Sequence, residues 1–537
     1  MTDGMSSLGA FELGQNFQRI NFLLQRLFLA LSRREIRNPG VEGPGQPFFL
    51  RAAMNQAQGW MTNPMKSFNT HIQFWQNTTA LYAELTQAML SGAARMPKTA
   101  DDDGVDARFA DEEWSKHPFF YYLKRQYQIM SAYLESLADG ASVGEDDKHA
   151  EQIHFFTHQL VDLFSPSNFL ASNPVAIKKA VETNGRSLVE GLENLVKDLE
   201  RSGGDLLVTL SDPDAFKVGE TLASTKGHVV HETELFQLIR YEPVTEKVYA
   251  RPLLLVPPWI NKYYILDLQP KSSLVKWLVE QGFAVYIVSW KNPREELRDY
   301  GMDSYVENGV LPAMRKVDEL HGDDGINVVG YCIGGTTLAL TLALLGKTKQ
   351  DNPAKSATFF TALTDFADPG PLQSFIDEGF ISGIMIEAQR KGYLDQRIMA
   401  RTFSYLRPND LVYGPAVKAY LLGEQRPKFD LLFWNEDSTR LPERMAREYL
   451  THLYRDNLFA NGGFEIEDVH VSLDDIKVPH YVVACEKDHI APWDASFRGL
   501  SRLKGGGRFV LAQSGHIAGI VNHPDKKKYG YWVSDAT

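Results

Sequence analysis

The sequence predicts an α/β protein in which a mostly parallel sheet, covered on both faces, follows a mostly helical N-terminal domain. Two observations support this class. After about residue 205, short continuous apolar runs alternate with helix-length segments, a pattern typical of buried parallel strands. Before that point the apolar residues recur at helical spacing. We therefore expect a helical domain over residues 1–205 and an α/β domain over residues 206–537.

Composition excludes several other classes of protein. The 537 residues include 56 Lys and Arg against 68 Asp and Glu, so the formal net charge is −12. That balance argues against a nucleic-acid partner, whose binding requires a basic surface. Two cysteines, Cys332 and Cys485, are too few for a disulfide scaffold and favour a reducing compartment. With no apolar run of about 18 residues and no secretory signal pattern, a cytoplasmic protein without a membrane span is predicted.

The first helix is predicted over residues 15–35. Its apolar residues follow the spacing of one helical face and are Ile20, Leu23, Leu24, Leu27, Phe28 and Leu31. Arginines recur beside that face at Arg19, Arg26 and Arg33. Two interpretations stay open: a helix that packs within its own domain, or a helix that docks on an apolar surface or partner. Further along, Asn173-Pro174 predicts the start of a helix that runs through Leu199.

The second half contains six predicted buried strands. They are residues 253–256, 284–288, 326–329, 357–361, 481–484 and 509–511. The alternation of apolar runs with helix-length segments is interrupted between Asp365 and about Val469, and this interval is dense in aromatic residues. The rings are Phe375, Phe380, Tyr405, Tyr413, Tyr420, Phe429, Phe433 and Trp434. Because an insertion of this length is usually folded, we expect a lid or binding element at about 366–469.

A sharp turn between a strand and a helix holds the strongest chemical signal. The sequence Gly330-Tyr331-Cys332-Ile333-Gly334 follows a predicted strand, and a helical segment comes after it. This G-x-C-x-G pattern is a nucleophile elbow with cysteine in the place of serine. The elbow needs small flanking residues, and it sets the sulfur at a helix N-terminus, which favours a thiolate. We expect Cys332 to be the nucleophile and the backbone N–H of Ile333 to face an oxyanion; the alternative is a buried structural cysteine beside packing glycines.

An elbow of this kind requires an acid and then a histidine further along the chain. Asp488 emerges after the fifth predicted strand, and His516 follows the sixth. His489 and His523 are rival bases, but His489 adjoins the acid and His523 lies in a polar turn, so His516 is preferred. The second cysteine, Cys485, lies on a strand and is expected to be buried and inert.

A second oxyanion donor is expected in the loop after the first predicted strand. Pro257 and Pro258 have no N–H, so the first available donors are Trp259 and Ile260, of which Trp259 is favoured. The nucleophile type bears on the reaction, because a cysteinyl thioester suits transfer of the acyl group to an alcohol or another thiol. Cysteine therefore favours acyl transfer, although hydrolases with a cysteine elbow also exist.

Several longer motifs resemble those of the polyhydroxyalkanoate synthases, which form polyesters such as poly(3-hydroxybutyrate). The motifs are residues 330–336 (GYCIGGT), 256–268 (VPPWINKYYILDL), 216–220 (FKVGE), 165–174 (SPSNFLASNP) and the passage from Arg108-Phe109 to Trp114. They occur in the order of the family and span roughly residues 105–525. The resemblance implies an α/β-hydrolase fold and Cys-His-Asp catalysis on (R)-3-hydroxyacyl-CoA. The catalytic positions of the family match Cys332, Asp488 and His516 without departure.

The chain length and the helical first half resemble the single-polypeptide type that acts on short-chain substrates such as 3-hydroxybutyryl-CoA. The resemblance further implies a homodimer in the cytoplasm at the surface of polyester granules, with the growing polyester chain and granule coat proteins as partners. Neither a cofactor nor a metal is expected, because no His, Cys and Asp cluster outside the triad has ligand spacing.

Two other functions stay open. The fold and the triad do not fix the reaction, so an esterase, a thioesterase or a polyester depolymerase is the main alternative. A granule-coating protein with an inactive hydrolase domain is the other, and an intact triad argues against it. The sequence also leaves open whether His516 or Asp488 activates the 3-hydroxyl group of the substrate.

Overall fold

The computed structural model describes residues 2–34, 54, 64–91, 96, 106–142, 145–376 and 378–534. They form two compact units. The first contains the described residues through Asp212 together with Arg401–Pro427, and the second contains Pro213–Ala400 and the described residues from Lys428 onward. None of the helices in these ranges is long and apolar enough to cross a membrane. The boundaries expected at residue 205 and at about 366 and 469 stay predictions.

The part of the chain before residue 213 is helical, as its spacing predicts. Its helices are α1 (Thr2–Ser32), α2 (Pro64–Leu90), α3 (Glu113–Lys116), α4 (Pro118–Ala141), α5 (Asp147–Leu163), α6 (Pro174–Glu182) and α7 (Arg186–Arg201). α6 begins where expected, because Asn173 caps it by accepting from the backbone N–H of Ala176 at 3.0 Å. The single helix predicted through Leu199 is wrong. Gly185 has φ +81° and ends α6 in a left-handed turn before α7 starts.

The inner face of α1 packs against α7 within the first unit. Leu23 is buried and contacts Val189 and Val196, with Ile20 and Leu27 at the edge of the same cluster. The basic flank also faces α7, because Arg19 pairs with Glu193 and Arg26 pairs with Glu200. These contacts support internal packing for this face of the helix. The other apolar residues of the predicted stripe are more exposed and are Leu24, Phe28 and Leu31.

A buried carboxylate links α7 to the returning segment Arg401–Pro427 of the same unit. Asp198 accepts from the Thr209 hydroxyl at 2.6 Å, from the Tyr420 hydroxyl at 2.6 Å and from Arg426 Nη2 at 2.5 Å. Because a buried charge is stable only when it is paired and hydrogen-bonded, this cluster fixes residues that are distant in sequence. Part of the aromatic interval 366–469 therefore belongs to the helical unit.

The second unit is built on a nine-stranded sheet with the order β1-β2-β4-β3-β5-β6-β11-β12-β13. Its strands are β1 (Gly227–Glu232), β2 (Phe236–Tyr241), β3 (Leu253–Val256), β4 (Val285–Trp290), β5 (Ile326–Tyr331), β6 (Ala354–Phe360), β11 (His480–Cys485), β12 (Gly507–Ala512) and β13 (Tyr531–Ser534). The six central strands are parallel and coincide with the six predicted runs. The mostly parallel sheet is therefore confirmed, and antiparallel strands complete both edges.

Helices alternate with these strands. They are α8 (Leu274–Glu280), α9 (Met302–Tyr305), α10 (Leu311–Leu320), α11 (Ile333–Thr348), α12 (Glu378–Lys391), α13 (Gln396–Tyr405), α14 (Gly414–Ala416), α15 (Asp430–Glu436), α16 (Glu443–Glu448) and α17 (Trp493–Leu500), of which α14 lies in the Arg401–Pro427 segment of the first unit. Two short antiparallel pairs, β7 (Tyr393–Leu394) with β8 (Leu441–Pro442) and β9 (Phe464–Ile466) with β10 (Val469–Val471), lie in the aromatic interval. That interval is folded, as its length predicts.

Candidate active site

Cys332 lies in the turn between β5 and α11 and has φ +53° and ψ −130°. This conformation is strained for a residue with a side chain and is typical of a nucleophile elbow. A Cβ added at Gly334 would lie 2.4 Å from the Val256 carbonyl oxygen, and one at Gly330 would lie 2.4 Å from Gly335 Cα. The turn therefore closes only with glycine at both flanking positions, which gives the physical reason for the G-x-C-x-G pattern.

Asp488 and His516 meet at the same edge of the sheet, where β11 and β12 end beside each other in parallel. His516 Nδ1 lies 2.7 Å from Asp488 Oδ2. The other carboxylate oxygen, Oδ1, accepts from the backbone N–H groups of Ile490 at 2.8 Å and Ala491 at 2.9 Å. The side chain of Asp488 is fully buried, and the Cys332 sulfur lies close enough to His516 to raise the pKa of its imidazole. The structure thus brings together the three residues that were predicted to form the triad.

Charge in this buried site favours the protonated imidazole. Burial opposes the positive charge of His516, but the Asp488 carboxylate and the Cys332 sulfur outweigh it and raise the pKa of His516 well above its ordinary value. A cationic imidazole in contact with a cysteine favours the thiolate form of that cysteine. The arrangement can therefore supply both a sulfur nucleophile and a proton donor for a leaving group.

Tyr331 holds the imidazole from one side, and its sequence position beside Cys332 gave no indication of this role. Its ring stacks on that of His516, with a centroid distance of 5.7 Å and an interplanar angle of 29°. Its hydroxyl donates to the backbone carbonyl of His516 at 3.3 Å. The residue that precedes the nucleophile in sequence thus orients the base.

The loop expected to supply the second oxyanion donor is firmly anchored. Trp259 is buried, its indole Nε1 donates to the Thr337 hydroxyl at 3.0 Å, and its carbonyl accepts from the Thr439 hydroxyl at 2.5 Å. Ile333 is the first residue of α11, a position whose N–H has no partner inside a helix. The assignment of Ile333 and Trp259, rather than Ile260, as donors stays a prediction.

The other candidates of the sequence occupy different surroundings. Cys485 is buried, and burial together with the nearby Asp488 charge raises the pKa of its thiol to about 12. A thiol in this state is a poor nucleophile at neutral pH, in agreement with the inert cysteine that was expected. The rival His523 lies in a surface turn, where its Nδ1 is 3.5 Å from Asp525 Oδ2.

Two buried tyrosines near Cys332 were not predicted. Tyr449 and Tyr454 lie in the π-helix Tyr449–Arg455, and the Tyr449 hydroxyl donates to the Tyr454 hydroxyl at 3.3 Å. Burial raises the pKa of both phenols, and the charge at Cys332 raises it further, so both stay protonated. Within the described residues, nothing accepts the remaining hydroxyl hydrogen of Tyr454. A spacing of five residues shares no face of an α-helix, so periodicity gave no signal for this pair.

An apolar wall surrounds the nucleophile. Cys332 packs against a buried cluster that contains Tyr331 and Trp434, together with Phe433 from the aromatic interval and Ile520 from the segment after His516. Across the described ranges, no group of three or more His, Cys, Asp or Glu side chains is arranged to hold a metal ion. The site is therefore one cysteine, one histidine and one carboxylate beside a hydrophobic cluster.

Comparisons with known proteins agree with this architecture. The family model described as the N-terminus of poly-beta-hydroxybutyrate polymerase (PhaC) matches residues 105–278, and the α/β hydrolase fold model matches residues 252–523. The chain is 39% identical over 500 residues to poly(3-hydroxyalkanoate) polymerase of Methylorubrum extorquens, which covers 91% of this chain and 82% of that protein. It is 42% identical to the poly(3-hydroxyalkanoate) polymerase subunit PhaC of Cupriavidus necator, with 85% and 76% of the two chains covered. For the subunit from Rhizobium meliloti the identity is 37%, with 89% and 77% covered.

Proposed function

Because this chain belongs to the poly(3-hydroxyalkanoate) polymerase family, we propose that it joins (R)-3-hydroxyacyl units from their CoA thioesters into polyester through an acyl group carried on Cys332. The observation that carries the proposal is His516, hydrogen-bonded to Asp488 and placed beside Cys332 at the elbow. The description of the matching N-terminal model favours 3-hydroxybutyryl-CoA as the short-chain substrate.

The first half-reaction loads the enzyme. Cys332 Sγ attacks the thioester carbonyl carbon, and the developing oxyanion is held by the N–H of Ile333 and by Trp259 or Ile260. The bond between the carbonyl carbon and the CoA sulfur then breaks. His516 gives its proton to the departing sulfur, so the products are free CoA and an acyl group on Cys332.

The second half-reaction forms the ester bond. The 3-hydroxyl of another acyl unit loses its proton and attacks the carbonyl carbon of the Cys332 thioester, which frees the sulfur. Burial supports His516 rather than Asp488 as the base, because both oxygens of the Asp488 carboxylate already accept hydrogen bonds and its side chain is fully buried. Asp488 instead orients His516 and stabilises its positive charge.

The decisive experiment supplies purified protein with 3-hydroxybutyryl-CoA. Free CoA together with turbidity from insoluble polymer is the expected result. Free CoA together with soluble 3-hydroxybutyric acid would instead indicate a thioesterase on the same fold. No release of CoA would contradict both reactions and favour a non-catalytic coat protein.

The hydroxyl group of Tyr454 is expected to donate a hydrogen bond to the reacting acyl group. Tyr454→Phe should lower kcat about ten- to a hundredfold and leave KM within a few-fold, since one oriented donor is lost. CoA release at several substrate concentrations measures both values. Tyr264→Phe is the matched control, because Tyr264 is also buried and donates to Asp437 at 2.9 Å. An equal loss of kcat in both variants would mean that Tyr454 is only structural.

We also keep the lid, the homodimer and the location at the granule surface in the cytoplasm as proposals. Phe433 and Trp434, from the interval 366–469, pack against the cluster that contains Cys332, which supports a cover over the nucleophile. A growing apolar polyester needs an exit that excludes water, and opening of such a cover would provide it. The aromatic residues of the lid are the proposed contact for a second copy of the chain. Coat proteins are the proposed contact at the granule.

The outer side of α1 is the proposed attachment surface for polymer. Leu24 and Leu31 are each 47% exposed and Phe28 is 73% exposed, although the opposite side of the helix packs internally. Phe28→Gln with Leu31→Gln should reduce the fraction of enzyme that sediments with polymer while the CoA release rate stays within about twofold. Leu23→Ala, at a buried position, should instead lower the stability by about 2–4 kcal/mol. Unchanged sedimentation of the double variant would exclude this surface.

A further inference from the structure

A cavity of about 140 Å³ opens beside the candidate active site. Ser272, Ser273 and Trp277 form one wall, from the start and first turns of α8. Ile520 and His523 belong to the opposite wall, which is the chain segment directly after His516. The cavity is thus bounded by the same loop that carries the base of the proposed triad.

The apolar part of the cavity is continuous with the surroundings of the nucleophile. Trp277, Ile520 and Val521 line the cavity, and they also pack against the hydrophobic cluster that Cys332 contacts. The cavity and the nucleophile therefore adjoin the same hydrophobic cluster. The triad chemistry uses neither the cavity nor its aromatic wall.

A run of positive charge follows the cavity in the chain. Lys526, Lys527 and Lys528 come directly after the lining residue Pro524 and are all exposed. Among residues 523–534, Asp525 is the one acidic side chain beside three lysines, so the net charge of this segment is 3 − 1 = +2. The formal net charge of the whole chain is −12. An isolated basic segment on an acidic protein attracts anionic ligands to that place.

The lysines lie close to the loop of His516. The backbone N–H of Gln513, three residues before His516, donates to the Gly530 carbonyl at 2.9 Å. Lys528 Nζ lies 5.0 Å from the ring centroid of Tyr529, which adjoins Ser514. The Ser514 hydrogen bond, followed by the charges of Lys528 and Lys526, lowers the pKa of the Tyr529 phenol. The positive charge of Lys526–Lys528 therefore acts at the edge of the loop that carries His516.

We propose that this cavity and the Lys526–Lys528 run bind the nucleotide part of the acyl-CoA substrate, with the adenine against Trp277 and the phosphates against the lysines. The inference rests on the proposed function, which supplies CoA thioesters as substrates. CoA carries a pyrophosphate and a 3′-phosphate at the end opposite its thioester, and lysine binds phosphate as a point charge. The ring of Trp277, which is partly exposed in the cavity wall, is suited to stacking on a base.

The test compares two substrates in one variant, Lys526→Gln with Lys528→Gln. With 3-hydroxybutyryl-CoA, KM should rise about three- to tenfold at low salt while kcat is unchanged, as expected for two exposed ion pairs. With 3-hydroxybutyryl-pantetheine, which lacks the nucleotide, KM should equal that of the unaltered protein. The KM difference for the CoA thioester should shrink at high salt because exposed charges are screened.

A control with the same loss of charge is Lys347→Gln with Lys349→Gln. These lysines lie at the far end of α11, about 20 Å along the helix from Cys332. This variant should leave KM for both thioesters unchanged. Adenosine 3′,5′-bisphosphate, used as a probe, should inhibit the unaltered protein and inhibit the Lys526/Lys528 variant at least threefold less.

Two results would overturn the inference. One is an equal KM change for the CoA and the pantetheine thioesters, and the other is equal inhibition of both proteins by the bisphosphate. Failure of the unaltered protein to turn over either thioester would instead contradict the proposed function. Bisphosphate binding that is lost in the Lys526/Lys528 variant would still support the nucleotide site in that case.

Discussion

Replacement of Cys332 by alanine is expected to abolish both CoA release and polymer formation while the fold is retained. The sulfur is the only nucleophile proposed, and loss of a covalent route costs several kcal/mol of transition-state stabilisation, so the rate should fall at least about a hundredfold. The removed side chain is half-buried and lies at the edge of its hydrophobic cluster, so its loss should leave the fold intact. CoA release, measured with a thiol reagent, and the melting temperature together test this result.

The second cysteine provides the control. Cys485→Ala should leave the rate within a few-fold, because that thiol is buried and its raised pKa of about 12 keeps it protonated. Its stability should fall by about 1 kcal/mol, since a small cavity is left in a packed site. Residual activity above about a hundredth in Cys332→Ala, or a comparable loss in Cys485→Ala, would contradict the assignment of the nucleophile.

Asp488→Asn is expected to lower kcat about a thousandfold or more with little change in KM. The Asp488 carboxylate fixes the tautomer and orientation of His516 through the 2.7 Å hydrogen bond, and an amide cannot stabilise the cationic imidazole. The amide oxygen of the asparagine can still accept from the backbone N–H groups of Ile490 and Ala491, so the loop after Asp488 should be preserved. Single-turnover acylation with radiolabelled substrate measures the loss directly.

The pH dependence of the same variant gives an independent readout. The Asp488 charge raises the pKa of His516, so its removal lowers that pKa and His516 loses its proton at lower pH. The thiolate of Cys332 then loses the support of a cationic imidazole, so the pH profile of Cys332 alkylation should shift toward higher pH. Asp494→Asn removes a carboxylate that is exposed and paired with Arg498, and it should leave both the rate and the profile unchanged. An unshifted profile in Asp488→Asn would rule out the proposed charge coupling.

The central sheet and the order of the candidate triad could be predicted from the sequence because each depends on local signals. Buried parallel strands appear as continuous apolar runs, and the six predicted runs are the six parallel strands. The elbow is equally local as a sequence motif, and a Cβ at Gly330 would lie 2.4 Å from Gly335 Cα; the atom that excludes a side chain at Gly334 belongs to the distant Val256. Parallel pairing then brings the carboxyl ends of β11 and β12 to one edge, which places Asp488 beside His516.

The edges of the sheet were not predictable in the same way. β1 is exposed along most of its length, and all four residues of β13 are exposed, so neither strand has the apolar run that marks burial. Their pairing depends on the neighbouring strand that is already in place, namely β2 for β1 and β12 for β13. Antiparallel edge strands can be polar because one side faces water.

The sequence by itself determined the parallel core, the cysteine elbow and the chain order of acid and base, since each follows from neighbouring residues. Only the tertiary structure decided which side of the α1 stripe is buried, because the partner surface of Val189 and Val196 lies about 170 residues away. It also decided that Tyr331 supports His516 and that a π-helix joins Tyr449 to Tyr454. These contacts join residues whose spacing has no periodic signature, so their energies depend on packing that no local pattern encodes.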